Sequence, residues 1–457
     1  MNRQAFVVTG LGFGDEGKGT VTDWLTVQHN AHTIVRTGGP QALHRVVTSG
    51  GREHVFSQFG SGTLRGAATH LSRHMLVAPH ALLREGTVLQ EKPGCANVFS
   101  KLTVHKDALV VTPFQGVTGR VRELLRGVQR RGTVGVGVGE TVRDAEALGS
   151  DALRMRDLYS PSISEKLTAL WRYKVSQYEH YADRASGLPE PIGNRVREQL
   201  SLLLNDNLLQ ETIAEFSILA KLVSAVDDAY VAKEILAKSG TIIYEVSQGV
   251  LLDREYGFHP YTTKVRATPA TARELLAEGG YTGRISSLGI VRSYATRHGY
   301  GPFVTEDHRL ADLLPDARNQ KDPWQGAFRI GHFDAVASRY ANAACGHQAF
   351  DGLVVTCLDR TAALDTWSIC TAYRPAARTQ HKNITDLTDL ATHDRTEIMS
   401  SCRPMFTMHR QGQLSRERWQ QLQIEEISTA TGLPVYAVSA GATETDKYLT
   451  NVKELIC

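Results

Sequence analysis

Gly12-Phe-Gly-Asp-Glu-Gly-Lys-Gly-Thr20 follows directly on the apolar run Ala5-Phe-Val-Val8, and this succession of strand and glycine turn decides how the chain is read. In a Gly-x4-Gly-Lys-[Ser/Thr] loop the glycines let backbone N–H groups close on phosphate oxygens, the Lys supplies charge and the hydroxyl holds magnesium. Gly12, Gly17 and Lys18 keep that spacing, but Gly19 stands where the hydroxyl belongs. A metal ion then needs another ligand, and Asp15 inside the loop is the candidate. A carboxylate among phosphate-binding amides is costly unless it holds a cation or takes a proton, so Asp15 is also a candidate for chemistry. Gly14, Glu16, Gly17, Lys18 and Gly19 are the loop's candidate phosphate-binding residues.

A second strand and glycine turn follows, Arg36-Thr-Gly-Gly-Pro-Gln-Ala-Leu-His44. A lone His in a turn is most often an ordinary surface residue. Paired with a loop Asp, it completes the acid and base that phosphoryl transfer to a weak oxygen nucleophile requires. Asp15 and His44 are both expected on surface loops.

The short β-branched runs Phe6–Thr9, Thr33–Val35, Ala108–Thr112, Thr241–Tyr244, Leu353–Thr356 and Pro434–Val438 read as buried strands. Helical patterns lie between them, at Ala81–Glu85, Val121–Arg126 and from about Asn194 to Lys238. That alternation predicts an α/β fold, a large mostly parallel central sheet with helices on both faces and ligands at the carboxyl ends of the strands. We expect one domain over 1–457, with a helical excursion at about 160–240 and a polar loop at about 305–325 near the site.

A chain of 457 residues with 42% hydrophobic and 22% charged residues has the composition of a globular protein. Its net charge of +3 gives no argument for nucleic acid. The six cysteines are scattered without Cys-x2-Cys pairs, which predicts reduced thiols. With no apolar segment of membrane-spanning length, the expected location is the cytoplasm.

The two loops resemble those of the adenylosuccinate synthetase family, Trp-Gly-Asp-Glu-Gly-Lys-Gly-Lys and Gly-Gly-x-Asn-Ala-Gly-His-Thr. The resemblance continues in order along nearly the whole chain. Gly132-Thr-Val-Gly-Val-Gly-Val-Gly139 is similar to Gly-Thr-Thr-Gly-Arg-Gly-Ile-Gly, and Tyr244-Glu-Val-Ser-Gln-Gly-Val-Leu-Leu-Asp253 to Phe-Glu-Gly-Ala-Gln-Gly-x-Leu-Leu-Asp. Gly257-Phe-His-Pro-Tyr-Thr-Thr263 resembles Gly-Thr-Tyr-Pro-Tyr-Val-Thr. Tyr294-Ala-Thr-Arg-His-Gly-Tyr-Gly-Pro-Phe-Val-Thr-Glu306 resembles Tyr-x-Thr-Arg-Val-Gly-x-Gly-Pro-Phe-Pro-Thr-Glu, and Thr356-Cys-Leu-Asp359 stands for Thr-Lys-Leu-Asp.

The resemblance implies a two-step, Mg²⁺-dependent ligase acting on a purine nucleoside monophosphate, L-aspartate and a nucleoside triphosphate, GTP or ATP. Asp15 would remove the N1 proton of IMP while His44 stabilises charge as the γ-phosphoryl moves to O6; aspartate then displaces that phosphate. It further implies that Thr133, Gln248 and Thr263 hold the monophosphate, and that Arg329 and Arg297 hold aspartate. Asp359, Ser439 and Gly441 would hold the triphosphate's base. Asp15 and the backbone carbonyl of Leu43 would hold the metal, in a homodimer.

Departures from the family pattern fall on these same sites. Leu43 replaces a Gly, which requires a turn without positive φ at that position. Val134 and Val136 replace a Thr and an Arg, and Leu148 falls where a dimer partner's Arg would reach in. Asp322-Pro-Trp-Gln-Gly-Ala-Phe-Arg329 keeps one Arg where the family has several, with Gly326 about where an Arg near the ribose would be. Cys357 replaces a Lys that stacks over guanine. These changes resemble a divergent viral branch acting on dGMP, although that branch commonly replaces the loop Asp that Asp15 retains. IMP is therefore the expected acceptor, with dGMP the alternative. A non-catalytic nucleotide sensor is the reading from another class, and the missing hydroxyl at Gly19 argues against an ordinary GTPase or kinase.

Overall fold

The computed structural model describes residues 3–319, 322–346, 348–376 and 383–450. Its centre is a ten-stranded sheet: β1 (Arg3–Gly10), β2 (Thr33–Gly38), β3 (Ala68–Met75), β4 (Leu102–His105), β5 (Ser224–Val226), β6 (Gly240–Gly249), β7 (Arg284–Arg292), β8 (Gly352–Thr356), β9 (Val435–Ser439) and β10 (Lys447–Leu449). Across the sheet the order is β10-β9-β8-β7-β1-β6-β2-β3-β4-β5. All neighbours run parallel except β10, which returns antiparallel beside β9.

The alternation within β1 shows why both faces must be covered. Phe6 and Val8 pack with Val21, Trp24 and Leu25 of helix α1 (Lys18–His29). Ala5 and Val7 point the other way, to Ala272 and Leu276 of helix Ala270–Glu278. All four β1 side chains are fully buried, as a parallel strand between two helical layers demands. Because β1, β2, β6 and β8 all end on the same edge, their terminal loops converge there, and the glycine loop opening α1 lies among them.

The remaining helices fit the expectation in part. Ala81–Glu85 lies within α2 (Pro79–Gln90), and Val121 within α3 (Pro113–Leu124), which is followed by α4 (Val138–Leu148). The run 108–112 forms no strand. Val110 makes only an isolated bridge to Val77, and Thr112 caps α3 in a capping box with Gln115, because Pro113 starts the helix there. The stretch from 160 to 240 holds α5 (Ile163–Val175), α6 (Tyr178–Ser186), α7 (Glu190–Leu203) and α8 (Asp206–Leu222), and then β5 interrupts the helical pattern. One face of this array is core: Leu167, Leu203 and Phe216 are fully buried. The polar segment from 305 carries a helix of its own, His308–Leu313. No described helix is long and apolar enough to cross a membrane. The cysteines among the described residues are free; Cys457 lies outside them.

Candidate active site

Between β1 and α1 the loop closes on its own carboxylate. Glu16 Oε1 accepts hydrogen bonds from the N–H groups of Gly12 (3.1 Å) and Gly14 (2.7 Å), and Oε2 meets the Lys18 ammonium at 2.7 Å. Gly10 and Gly249 are needed for this, since a Cβ on either would come within 2.2 to 2.7 Å of Glu16 oxygens. Grouped from sequence with the phosphate binders, Glu16 instead engages the donors itself, because a carboxylate repels phosphate and satisfies amides. Asp15 is pushed out of this arrangement into a left-handed conformation (φ 57°). Arg292, at the end of β7, holds its backbone oxygen with a 2.5 Å bond from Nε. Burial raises the Asp15 carboxyl above its ordinary pKa, against the opposing pull of Arg292.

His44 is on no surface loop. It opens the short strand His44–Val47, is 6% exposed, and is held from the sheet. Its Nδ1 lies 2.6 Å from Glu245 Oε1 on β6. Two acceptors cannot approach so closely without a proton between them, so Nδ1–H donates and the unpartnered Nε2 is left toward the cavity. Arg36, the register partner of Glu245 on β2, pairs with the same carboxylate at 3.2 Å, and Ser61 N–H donates to it at 3.0 Å. Burial works to raise Glu245, but Arg36 and His44 outweigh it and keep the carboxyl ionised. Burial, and then Arg36, push His44 down to about 4, so its resting form is neutral.

Asp15, Lys18, Leu43, His44, Thr133, Gln248, Thr263 and Arg297 all line one cavity of about 750 Å³. Several of its polar atoms have no partner among the described residues: both amide atoms of Gln248, Gln41 Oε1, Arg297 Nη2 and the Nε2 atoms of His44 and His298. Buried polar groups in a finished core are paired, so such a set facing one space marks a ligand site. Gln248 adopts a left-handed conformation (φ 60°), backbone strain of the kind concentrated at functional sites.

A family model for adenylosuccinate synthetase matches residues 7–448. The chain belongs to the adenylosuccinate synthetase family. It is 32% identical over 379 residues to the adenylosuccinate synthetase of Pseudomonas fluorescens, covering 81% of each chain. With that of Photobacterium profundum it shares 29% over 447 residues, 95% of each. Fully ligated adenylosuccinate synthetase from Plasmodium falciparum superposes with a TM-score of 0.72 at 17% identity, covering 98% of this chain and 99% of that one. The succinoaminodeoxyadenylate synthetase of cyanophage S-2L, bound to dGMP and dATP, gives 0.56 at 18% identity, covering 98% and 96%. The protein is thus a carbon–nitrogen ligase of purine biosynthesis.

For a member of the adenylosuccinate synthetase family, the other candidate residues divide into two further places. Asp359, in the short helix Leu358–Thr361, lies at the end of β8, and Ser439 at the end of β9. Neither lines the cavity. They flank the opposite side of the glycine loop, where Thr356 Oγ1 donates to Glu16 O (2.6 Å) and Thr20 Oγ1 to Ala442 O (3.0 Å). Burial raises the Asp359 carboxyl, with Asp446 of the neighbouring turn contributing in the same direction. Gly441 lies tight against Asp446, since a Cβ there would meet that side chain at 2.5 Å.

The two arginines expected to hold aspartate face each other as register partners in the hairpin of Ala295–His298 with Phe328–Gly331. Arg297 is 1% exposed, lies 4.1 Å over the Phe13 ring, and donates to the carbonyls of Tyr300 and Pro302. Arg329 is paired with Glu306 (2.9 Å) and Gly301 O (2.9 Å) and does not line the cavity. Each keeps one buried nitrogen without a partner. Leu43 has no positive φ, as its substitution for Gly requires.

Sequence reasoning does not reach Glu245, Arg36, Arg292, Gln41 or His298. Glu245 stands inside the motif Tyr244–Asp253, and His298 occupies a family Val position, so both leave a signal. Arg36 opens the second glycine motif but nothing there pairs it with Glu245, and Arg292 leaves no signal, because only the sheet brings it to Asp15.

Proposed function

We propose that the protein transfers the γ-phosphoryl of a nucleoside triphosphate to O6 of IMP and lets L-aspartate displace it, giving an N6-succinyl purine nucleotide. The observation that carries this is the convergence, in one cavity, of Asp15, the Glu245-held His44, and the unpartnered amide of Gln248. A 6-oxo group leaves poorly until it is phosphorylated. Asp15, with its carboxyl raised by burial, is suited to take the N1 proton, which moves negative charge onto O6. His44 is neutral at rest. As charge builds on O6, a proton taken up from bulk water onto Nε2 would give an imidazolium bracketed by O6 and the Glu245 carboxylate. Gln248 Nε2 and Oε1 are placed to pair with the base edge, and Thr133 and Thr263 to meet the 5′-phosphate.

Among the described residues no group of three or more His, Cys, Asp or Glu could hold a metal. The Asp15 carboxylate and the Leu43 carbonyl on the cavity wall fit Mg²⁺, which keeps few protein ligands and otherwise binds water and phosphate oxygens. Bound there, it would neutralise charge on the transferred phosphoryl. Asp359, with the Ser439–Gly441 turn, fits the N1 and N2 edge of GTP, with ATP the other donor. Arg297 and Arg329 offer their free nitrogens to the aspartate carboxylates. We place the enzyme in the cytoplasm as a homodimer.

A second acceptor, dGMP, is favoured by Gly326, which stands about where the family pattern has an arginine near the ribose. The test is phosphate release with Mg²⁺, L-aspartate and GTP or ATP, with IMP or dGMP as the only other variable. Release that requires all three substrates supports the ligase. Release without any purine monophosphate defeats it, and turnover on dGMP alone moves the acceptor to the second reading.

A further inference from the structure

The turn Asp322–Gly326 forms part of the cavity wall, yet its largest side chain serves another purpose. Asp322 and Gly326 exchange backbone hydrogen bonds at 2.9 and 3.0 Å, and Asp322 Oδ1 accepts the N–H groups of Trp324 (2.8 Å) and Gln325 (2.6 Å). Asp322, Pro323 and Gln325 line the cavity, whereas Trp324 does not. Its ring packs on the apolar cluster of Val121, Leu125, Val196 and Leu200, which belongs to the helical excursion and to α3. Two guanidinium groups lie over that ring, Arg120 of α3 at 5.8 Å and Arg195 of α7 at 5.0 Å from its centroid.

Arg120 ties this anchorage to the rest of the wall. Its Nε donates to Gln199 Oε1 on α7 (2.7 Å) and its Nη1 to Gly135 O (3.0 Å). Both acceptors are neutral, so the charge stays available to the indole face. The backbone is fitted as closely as the side chains. Gln325 O sits against Gly132 and Gly299, where a Cβ would come within 3.0 and 2.6 Å of it, and a Cβ on Gly135 would lie 3.5 Å from Trp324 Cγ. The turn is therefore wedged between the segment after α3 and the hairpin that carries Arg297, by contacts that need no ligand. The arginines that the family pattern carries in this stretch would be repelled by Arg120 and Arg195; a tryptophan is attracted to both.

We propose that Trp324 is a positioning residue, a latch that holds the Asp322–Gly326 turn on α3 and α7 so that this wall of the cavity stands in place before substrate arrives. It touches no substrate and acts through Asp322, Pro323 and Gln325. A wall already ordered loses no conformational freedom on binding, so the latch serves affinity for whatever fills the cavity. Its kinetic consequence rests on that ligand being the acceptor nucleotide, as proposed above.

Hydrogen exchange in the protein without substrates tests the latch itself. A turn closed only on itself opens readily, so protection of the Trp324, Gln325 and Gly326 amides reports the docking of the ring. They are expected to be protected in the wild type and to exchange about tenfold faster in Trp324→Ala. In steady-state kinetics the same variant should raise the KM for IMP about tenfold, with kcat and the KM for GTP unchanged. Trp324→Phe, which keeps an aromatic face for the two arginines, should recover most of both effects. Arg195→Ala removes one cation and leaves the ring packed, so it covers the case in which Trp324→Ala does not fold; about a threefold change is expected in each readout. Unprotected amides in the wild type, a KM for IMP indifferent to these substitutions, equal losses for IMP and GTP, or a phenylalanine no better than alanine would each overturn the inference. Turnover intact with unprotected amides would leave the ligase reading standing. Protection that depends on Trp324, in a protein that releases no phosphate with IMP or dGMP, would sustain the latch and remove the ligase reading.

Discussion

The two loops that carry the chemistry are built in opposite ways. Residues 10–18 close on themselves, with Glu16 satisfying two loop amides and Lys18 from within nine residues of chain. His44 is positioned from 201 residues away, by Glu245 on β6, with Arg36 on β2 completing the contact. A self-closed loop keeps its shape wherever it is placed. A histidine held across the sheet is correct only when β2 and β6 pair in the right register, so the acid half of the site takes its side-chain support from the fold, whereas the base half meets the sheet through backbone oxygens, those of Asp15 and Glu16 held by Arg292 and Thr356.

Asp15→Asn and His44→Asn give the largest expected effects and treat the two halves alike: each should lower kcat by about a thousandfold, with folding intact by circular dichroism. Near-normal turnover in either variant would remove that residue from the chemistry. Glu245→Gln separates the halves. It strands the buried Arg36 charge, so it should cost about 3–5 kcal/mol of stability besides about a hundredfold in kcat. Glu16→Gln keeps one oxygen for the loop amides but turns an N–H₂ toward the buried Lys18 ammonium, so it too should cost stability while lowering kcat less. Equal losses from these two substitutions would break the contrast between local and distant support.

How much of this was legible in the sequence follows the same division. Asp15 and its loop could be read because the side-chain contacts of Glu16 with Gly12, Gly14 and Lys18 lie within one motif. Strands rich in β-branched residues, such as Thr241–Tyr244 and Leu353–Thr356, were equally plain. β7 was not: Arg284-Ile-Ser-Ser-Leu-Gly-Ile-Val-Arg292 carries serines and a glycine that interrupt the β-branched pattern, yet Ser286 and Ser287 are buried between neighbouring strands. Gly289 must be small, since a Cβ there would sit 2.7 Å from Leu11 Cδ1. β3 hides likewise behind His70, Ser72 and Arg73. Arg36 and Glu245 became partners only through that sheet, and composition carries no trace of a cross-strand ion pair.

Arg329→Leu probes a third kind of support, an arginine shared with Glu306 and a backbone carbonyl. It should raise the KM for L-aspartate about tenfold and leave that for IMP unchanged; equal losses would misplace the aspartate site. The histidines also make the distant half acid-sensitive. Burial holds His44 down to about 4 and His70 down to about 3, against 6.5 when unfolded. Below 6.5 the unfolded chain binds protons that the folded chain refuses. The stability they confer is therefore full above pH 6.5 and is lost as pH falls toward 4, by up to about 3 kcal/mol per pH unit for the pair. Urea midpoints at pH 7.5, 6 and 5 measure this, and because burial also holds His32 and His80 down to about 4, His44→Asn should remove only a minor part of the slope.

The smallest expected effect tests whether the triphosphate end is separable from the rest. Asp446 shapes its turn by accepting from Thr443 N and Oγ1, both at 2.7 Å, and it presses against Gly441. Gly441→Ala places a methyl group 2.5 Å from Asp446 Cγ, so the turn must open slightly. That turn meets α1 and the hairpin of His44 through few polar side-chain contacts: Thr20, Arg65 bridging Glu444 to Asp23, and Ser49, whose N–H donates to Glu444 at 3.0 Å. A small displacement should therefore stay local, raising the KM for the triphosphate about threefold and leaving IMP and aspartate unaffected. If IMP affinity falls instead, the Ser49–Glu444 contact transmits motion to His44, and the distant half of the site has one support more than the sheet alone provides.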